Sequence, residues 1–300
     1  MKAQISDHSQ NRELLEISAD EKISFATSFD RRDFEFGHRL AESALFDSDA
    51  LAWLTREMAK DPADVFFDVG DVRVDQRWNE VPSSELTVEQ LFANIERENG
   101  WILLRRAEKV PAYRKILDEC LAEIEGLCDR DLRPLMAKRR ALLFISSPRR
   151  ISSYHIDREC NCLLQIRGSK EISIFDRDDR EVISERELER FWTVDNNAAV
   201  YKPALQSRAR TYRLTPGRAV HIPVNAPHWV RNGADVSVSL SVNFHYAEDR
   251  LADVYRMNHW LRRVGFSPIP PGRSANVDAM KRAAYGLART GWRTVRRKER

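Results

Sequence analysis

The chain has no apolar run near the roughly 18 residues needed to span a bilayer. Its first residues, MKAQISDHSQNRELLE, lack the apolar centre of a secretory signal. Both absences predict a cytoplasmic protein with no membrane partner. Four cysteines (Cys120, Cys128, Cys160, Cys162) in 300 residues are too few for a disulfide framework, which excludes the small stapled secreted folds. There is no internal repeat and no low-complexity block apart from a basic end. Excess charge of one sign is also missing: 49 basic residues stand against 46 acidic ones, and a net charge of +3 gives no argument for nucleic acid. What remains is a chain with 42% hydrophobic and 32% charged residues, long enough to bury a sizeable core without staples.

The near balance conceals an asymmetry. Residues 281–300 hold eight basic side chains and one acid, so this tail carries +7 and the other 280 residues carry −4. Charge runs are usually solvated, but such a tail can also touch phosphate, pair with an acidic partner, or meet the acidic body of a second subunit. Met280, Ala284, Leu287 and Ala288 form a modest apolar stripe beside the charge.

Periodicity divides the chain into a mostly helical region (1–138), a strand-rich core (139–247) and C-terminal helices with the basic tail (248–300). Val88, Leu91, Phe92 and Ile95 recur at helical spacing behind a Thr87/Gln90 capping box. A second helix is predicted over about 112–126. From Arg140 onward short strand-like runs follow (141–145, 162–166, 171–175, 209–214, 219–222, 229–231 and 236–246), separated by turns at Arg167-Gly168, Thr215-Pro216-Gly217 and Asn232-Gly233. Many short strands that do not alternate with helices predict a sandwich or small barrel. Helical spacing returns at Leu251, Val254, Tyr255 and Leu261, and again over about 276–295.

Tyr154-His155-Ile156-Asp157 places an imidazole and a carboxylate two residues apart in extended chain. Period-two geometry sets them on one face, about 6–7 Å apart along the backbone. With one more imidazole they would form a two-histidine, one-carboxylate triad, which leaves open positions on Fe(II). His228, behind Pro227 and opening a strand, is the best third ligand; His221 competes for the role. A solvated histidine beside a turn aspartate accounts for the pair equally well. Cys160 and Cys162, close by, read as packing residues.

The run His155-Ile-Asp157-Arg-Glu-Cys-Asn161-Cys-Leu-Leu-Gln165-Ile-Arg-Gly168-Ser-Lys170 resembles the JmjC and cupin-like 2-oxoglutarate oxygenases. Within them it is most similar to the asparaginyl hydroxylase that inhibits hypoxia-inducible factor. Thr215-Pro-Gly217…His221-Ile-Pro223…His228 and Val242-Asn243-Phe244-His245-Tyr246 resemble that family's distal-histidine segment and the strand after it, so the likeness covers about residues 140–247. The resemblance implies a double-stranded β-helix of jelly-roll, cupin-like form with flanking N- and C-terminal helices (α+β). It implies Fe(II) held by His155, Asp157 and His228, with O₂ and 2-oxoglutarate as cosubstrates. Lys170 would bind the distal carboxylate, Asn161 and Asn243 would hydrogen-bond nearby, and Ser152 would supply a hydroxyl. The substrate would be a peptide or protein side chain or a small molecule, and the C-terminal helices would pair two copies as a homodimer.

The chain departs from the pattern at Arg218 after the Pro-Gly turn, at Ala226-Pro227 before the distal histidine, and at His245. His245 shares a face with Asn243 and is expected either in the substrate pocket or as a core histidine. A non-catalytic cupin-like binding protein and an iron enzyme without 2-oxoglutarate remain the alternatives.

Overall fold

The computed structural model describes residues 13–80, 85–128, 131–247 and 250–298. In chain order come β1 (Leu15–Glu16), α1 (Ala19–Ser28), β2 (Phe34–His38), α2 (Ser48–Met58), β3 (Val65–Val69), α3 (Val88–Ala93), β4 (Gly100–Leu104) and α4 (Pro111–Leu127). The core strands follow as β5 (Met136–Ser146), β6 (Ile151–His155), β7 (Cys160–Arg167) and β8 (Lys170–Ile174). After α5 (Glu185–Phe191) come β9 (Arg210–Leu214), β10 (Arg218–Ile222), β11 (His228–Asn232) and β12 (Ser237–Tyr246), then α6 (Arg250–Arg263) and α7 (Ala275–Lys298). No described helix is long and apolar enough to cross a membrane.

The strands form two antiparallel sheets, β1-β2-β10-β7-β12-β5-β4-β3 and β6-β11-β8-β9. Four central strands of the larger sheet (β10, β7, β12, β5) face the smaller one, giving a double-stranded β-helix with flanking helices. Strand β7 shows how one sequence serves both of its faces. Cys160, Cys162, Leu164 and Ile166 alternate outward into the core under the N-terminal helices, beside Phe25, Leu117 and Leu121. Leu163, between them, points into the barrel with Ile172, Ile174, Val220, Ile222 and Val230. The two cysteines therefore pack on the side of the sheet away from the barrel interior.

Before residue 138 the sequence predicts mostly helices, and the Thr87/Gln90 box does cap α3. Four strands nevertheless lie in this stretch, and they complete both edges of the large sheet. Strand β2 pairs with β10, and β4 pairs with β5. Val65-Phe-Phe-Asp-Val69 does not alternate, and β2 and β4 are isolated five-residue runs between helices; pairing with a neighbour makes them strands.

Gly168 closes the β7–β8 turn at φ +63°, and a Cβ there would lie 2.3 Å from the Val236 carbonyl oxygen. Gln165, wholly buried, holds this turn: its amide donates to the Arg167 carbonyl at 2.6 Å and to Ser237 Oγ at 3.0 Å, and it accepts from Ser239 Oγ at 2.6 Å. Gly168→Ala is expected to cost about 1–3 kcal/mol, read as a lower midpoint in urea unfolding. An unchanged midpoint would show that the turn relaxes freely.

Of the tail's basic residues, Lys281 is not solvated: it is buried, and its ammonium donates to the Ile269 carbonyl at 2.6 Å. The tail side chains from residue 290 onward lie outside the described residues.

Candidate metal centre

Strands β6 and β11 pair so that His155 stands opposite His228, and Ser152 opposite Val230. One residue on β11 thus faces two on β6, a bulge that turns both Ser152 and His155 toward the face that carries His228. The imidazole centroids are 4.2 Å apart. His155 Nδ1 lies 2.7 Å from the Ser153 carbonyl oxygen, and His228 Nδ1 lies 3.0 Å from that of Ala226. A carbonyl only accepts, so each Nδ1 carries a proton, and in the neutral ring Nε2 then presents a lone pair.

Those lone pairs converge on Asp157, just past the end of β6. Its carboxylate oxygens are 4.0 Å from His155 Nε2 and 3.7 Å from His228 Nε2, too far for hydrogen bonds. One donor atom from each of the three residues lies within 4.8 Å of the others. Burial holds His228 neutral, its pKa pushed down to about 3, so the ring does not supply the missing positive charge. Desolvation likewise raises Asp157, with His155 opposing the shift. Three acceptors facing one another without a proton between them fit a shared cation, and two imidazoles with one carboxylate suit a first-row divalent ion. His221 does not join them. It is fully buried on β10 and stacks on Phe29 at 4.5 Å; its Nε2 accepts from the Asp30 N–H at 2.8 Å.

Beside the three lies a cavity of about 330 Å³, walled by Ser152, His155, Asp157, Asn161 and Asn243 among others. Asn161 and Asn243 are register partners on β7 and β12, joined through Ser241: Ser241 Oγ donates to Asn161 Oδ1 at 2.8 Å and accepts from Asn243 Nδ2 at 3.0 Å. Asn243 Oδ1 is buried with no hydrogen-bond partner among the described residues, an acceptor left for something that enters.

Lys170 begins β8, on the face shared by Ile172 and Ile174 that lines the barrel. It is 5% exposed, and desolvation depresses its pKa to about 7. Its ammonium has no side-chain or carbonyl partner among the described residues. The cavity wall around His155 does not include it.

His245 shares a strand with Asn243 but not a destination. Its Nε2 lies 2.9 Å from Glu159 Oε1, and it lines a neighbouring cleft instead of the cavity holding His155. The reason is local: the β12–β5 register shifts between Asn243 and His245, and Glu159 holds the ring.

Two features of the cavity had no signal in sequence spacing. Its mouth is aromatic: Phe66 meets Trp78 and Trp101 edge-on at 6.1 and 5.6 Å, and Trp101 stacks on Phe144 at 5.9 Å. Its wall also carries Arg150, buried and ion-paired to buried Asp68 on β3, with a further hydrogen bond to the Asn99 carbonyl at 3.1 Å. Both features join residues from β3 and β4 to core strands far along the chain, so only the tertiary fold brings them together.

A model of the cupin-like domain family matches residues 8–250. No curated protein matches the sequence. Among solved structures, Escherichia coli ycfD overlaps at a TM-score of 0.49 and 12% identity, covering 92% of this chain and 68% of that one. YcfD described as a ribosomal oxygenase in complex with cobalt and 2-oxoglutarate overlaps at 0.49 and 14% identity, covering 91% and 67%. A conserved Streptococcus pyogenes protein of unknown function, SPY1581, reaches 0.23 at 14% identity, covering 36% and 66%. Overlaps of this extent leave the assignment to the family match. That match spans more than half of the chain and agrees with the two facing sheets; the chain belongs to the cupin-like domain family.

Proposed function

We propose that this protein is an Fe(II)- and 2-oxoglutarate-dependent oxygenase that hydroxylates a peptide or protein side chain or a small molecule. The observation that carries the reading is the pair of Nδ1–carbonyl hydrogen bonds, which aim two imidazole lone pairs and the Asp157 carboxylate at one point. In this reading His155, Asp157 and His228 hold the iron. Bound there, Fe(II) would supply the oxidising chemistry that couples O₂ and 2-oxoglutarate to C–H hydroxylation, with succinate and CO₂ as coproducts. The chain's own work is positional. Ser153 and Ala226 fix the histidine tautomers, Lys170 neutralises the distal carboxylate of 2-oxoglutarate, and Asn161, Asn243 and Ser152 hydrogen-bond its polar edge. The aromatic mouth limits water around the reacting centre and offers flat apolar contacts to the substrate. The motif resemblance favours a peptide or protein side chain as substrate.

The test is anaerobic titration of the protein with Fe(II) and then 2-oxoglutarate. A visible metal-to-ligand charge-transfer band is expected in the wild type and none in Asp157→Ala. A wild-type protein that binds Fe(II) but gives no band with 2-oxoglutarate would defeat the cosubstrate assignment.

The reading includes a homodimer formed through the C-terminal helices. Supporting it, Met280 and Leu287, two turns apart on one face of α7, are 70% and 76% exposed. Light scattering should give twice the chain mass for the wild type and the monomer mass for Met280→Asp/Leu287→Asp; a monomeric wild type would remove this part.

A further inference from the structure

A second cleft of about 800 Å³ lies between the ends of β5 and β12 and the helices α6 and α7. Its lining includes Lys138, Arg158, Arg256, Arg282 and Arg289, against one described carboxylate, Asp253. That carboxylate is already committed, since Arg256 binds it at 2.8 Å. Lys138, Arg282 and Arg289 have no acidic partner among the described residues. Two of the guanidiniums are held in place. Arg158 and Arg256 lie over the Trp192 ring at 5.4 and 5.7 Å, and Arg256 donates to the Trp192 carbonyl at 3.1 Å. Arg282 and Arg289 are seven apart, so two turns of α7 present both on one face. That face is opposite to the one bearing Met280 and Leu287, so pairing through the apolar face leaves the cleft open.

We propose that this cleft binds the phosphate groups of a nucleotide or of a single nucleic-acid strand. Like cations collected in a concave site repel one another and are stabilised by a dense anion, and arginine forks match phosphate oxygens in pairs. Among the described lining residues the one carboxylate, Asp253, is already bound by Arg256, which leaves the other cations of the wall able to take an added anion. The site also has a direction. Arg158 lines both this cleft and the cavity beside Asp157, and the His245–Glu159 pair stands between them. A ligand held by its phosphate would therefore extend toward the candidate metal centre. This last step rests on the oxygenase reading; phosphate binding itself does not.

The experiment is fluorescence anisotropy of a short labelled single-stranded RNA with the full-length protein at low salt, with inorganic pyrophosphate, ATP and a poly-glutamate peptide as competitors. Binding is expected, with displacement by pyrophosphate. Arg282→Gln/Arg289→Gln should weaken it at least roughly tenfold and reduce the slope of log affinity against log salt by roughly 1.4, the value for two lost single-strand phosphate contacts. Arg213→Gln, which removes an exposed pair with Glu171, should leave it unchanged. Displacement by ATP at the concentration that works for pyrophosphate identifies a free nucleotide as the ligand; RNA bound far more tightly than ATP identifies a strand. Asp157→Ala should retain RNA binding, which separates failure here from failure of the metal centre. The proposal is overturned by absence of binding, by an unaltered double variant, or by displacement with poly-glutamate as effective as with pyrophosphate.

Discussion

Lys170→Met is expected to weaken 2-oxoglutarate binding at least about 100-fold while leaving Fe(II) binding intact and making the ligand-free protein more stable. The two effects come from one fact: the ammonium is buried and has no counter-ion among the described residues. Depressing its pKa from 10.5 to about 7 corresponds to a burial cost on the order of 5 kcal/mol for the charged form. Methionine is close in length and carries no charge, so it removes that cost and keeps an apolar stem on the barrel-facing side of β8. A lysine retained only for structure would give the reverse, lower stability and unchanged ligand affinity. The check is isothermal titration with 2-oxoglutarate on metal-loaded protein beside denaturant melts without ligand. Unchanged affinity would assign the distal carboxylate to another group, with Arg150, a buried cation on the cavity wall, the first candidate.

Acidification is expected to destabilise the protein between pH 6.5 and about 4, and two histidines outside the metal site contribute to the loss. His38 and His221 are 2% and 0% exposed, and burial pushes their pKa values down to about 4 and about 3. Each neutral ring is used on both sides. His38 accepts from the Leu40 N–H at 3.1 Å and donates to the Gln165 carbonyl at 3.0 Å. His221 accepts from the Asp30 N–H and donates to the Asn161 carbonyl at 2.9 Å. A second proton on either ring would point a donor at a backbone donor. The unfolded chain has no such restriction and protonates near 6.5. Because the folded values are depressed, the stabilisation is complete above pH 6.5 and is lost as pH falls toward 4 and 3. The loss reaches about 2 kcal/mol per ring by pH 5, about 4 kcal/mol together, a large share of a typical 5–15 kcal/mol. Urea midpoints from pH 8 to 5 would measure it. His38→Gln, which keeps one donor and one acceptor, should remove about 2 kcal/mol of the loss at pH 5; a flat profile would sink the account.

The sequence made much of the barrel legible because its strands are amphipathic and bounded by glycine, proline and asparagine turns. The strands expected over 141–145, 162–166, 171–175, 209–214, 219–222, 229–231 and 236–246 correspond to β5 and β7 to β12. Helices expected near Val88, over 112–126, after Leu251 and over 276–295 correspond to α3, α4, α6 and α7. What stayed hidden depends on pairing at a distance. Strands β1 to β4 lie among helical segments, β2 and β4 find sheet partners farther along the chain, and α1, α2 and α5 are not assigned individually despite the Ser18/Glu21 and Ser184/Glu187 capping boxes at α1 and α5. At the site, His155, Asp157 and His228 were legible because a period-two pair and a proline-flanked histidine are local signals. The bulge that aims His155, the buried Arg150–Asp68 pair and the aromatic mouth were not, since each joins residues with no fixed spacing.

The placement of β2 also sets a timetable for making the protein. Residues 34–38 have β1 on one side, but their other partner in the sheet is residues 218–222. During synthesis that edge of β2 stays unpaired until most of the chain has emerged, and β4 waits in the same way for β5. Closure is therefore dominated by contacts distant in sequence, which makes folding slow and leaves open strand edges available to other chains meanwhile. The region before β5 that walls the cavity is thus made ahead of its sheet partners and is among the last parts to be secured.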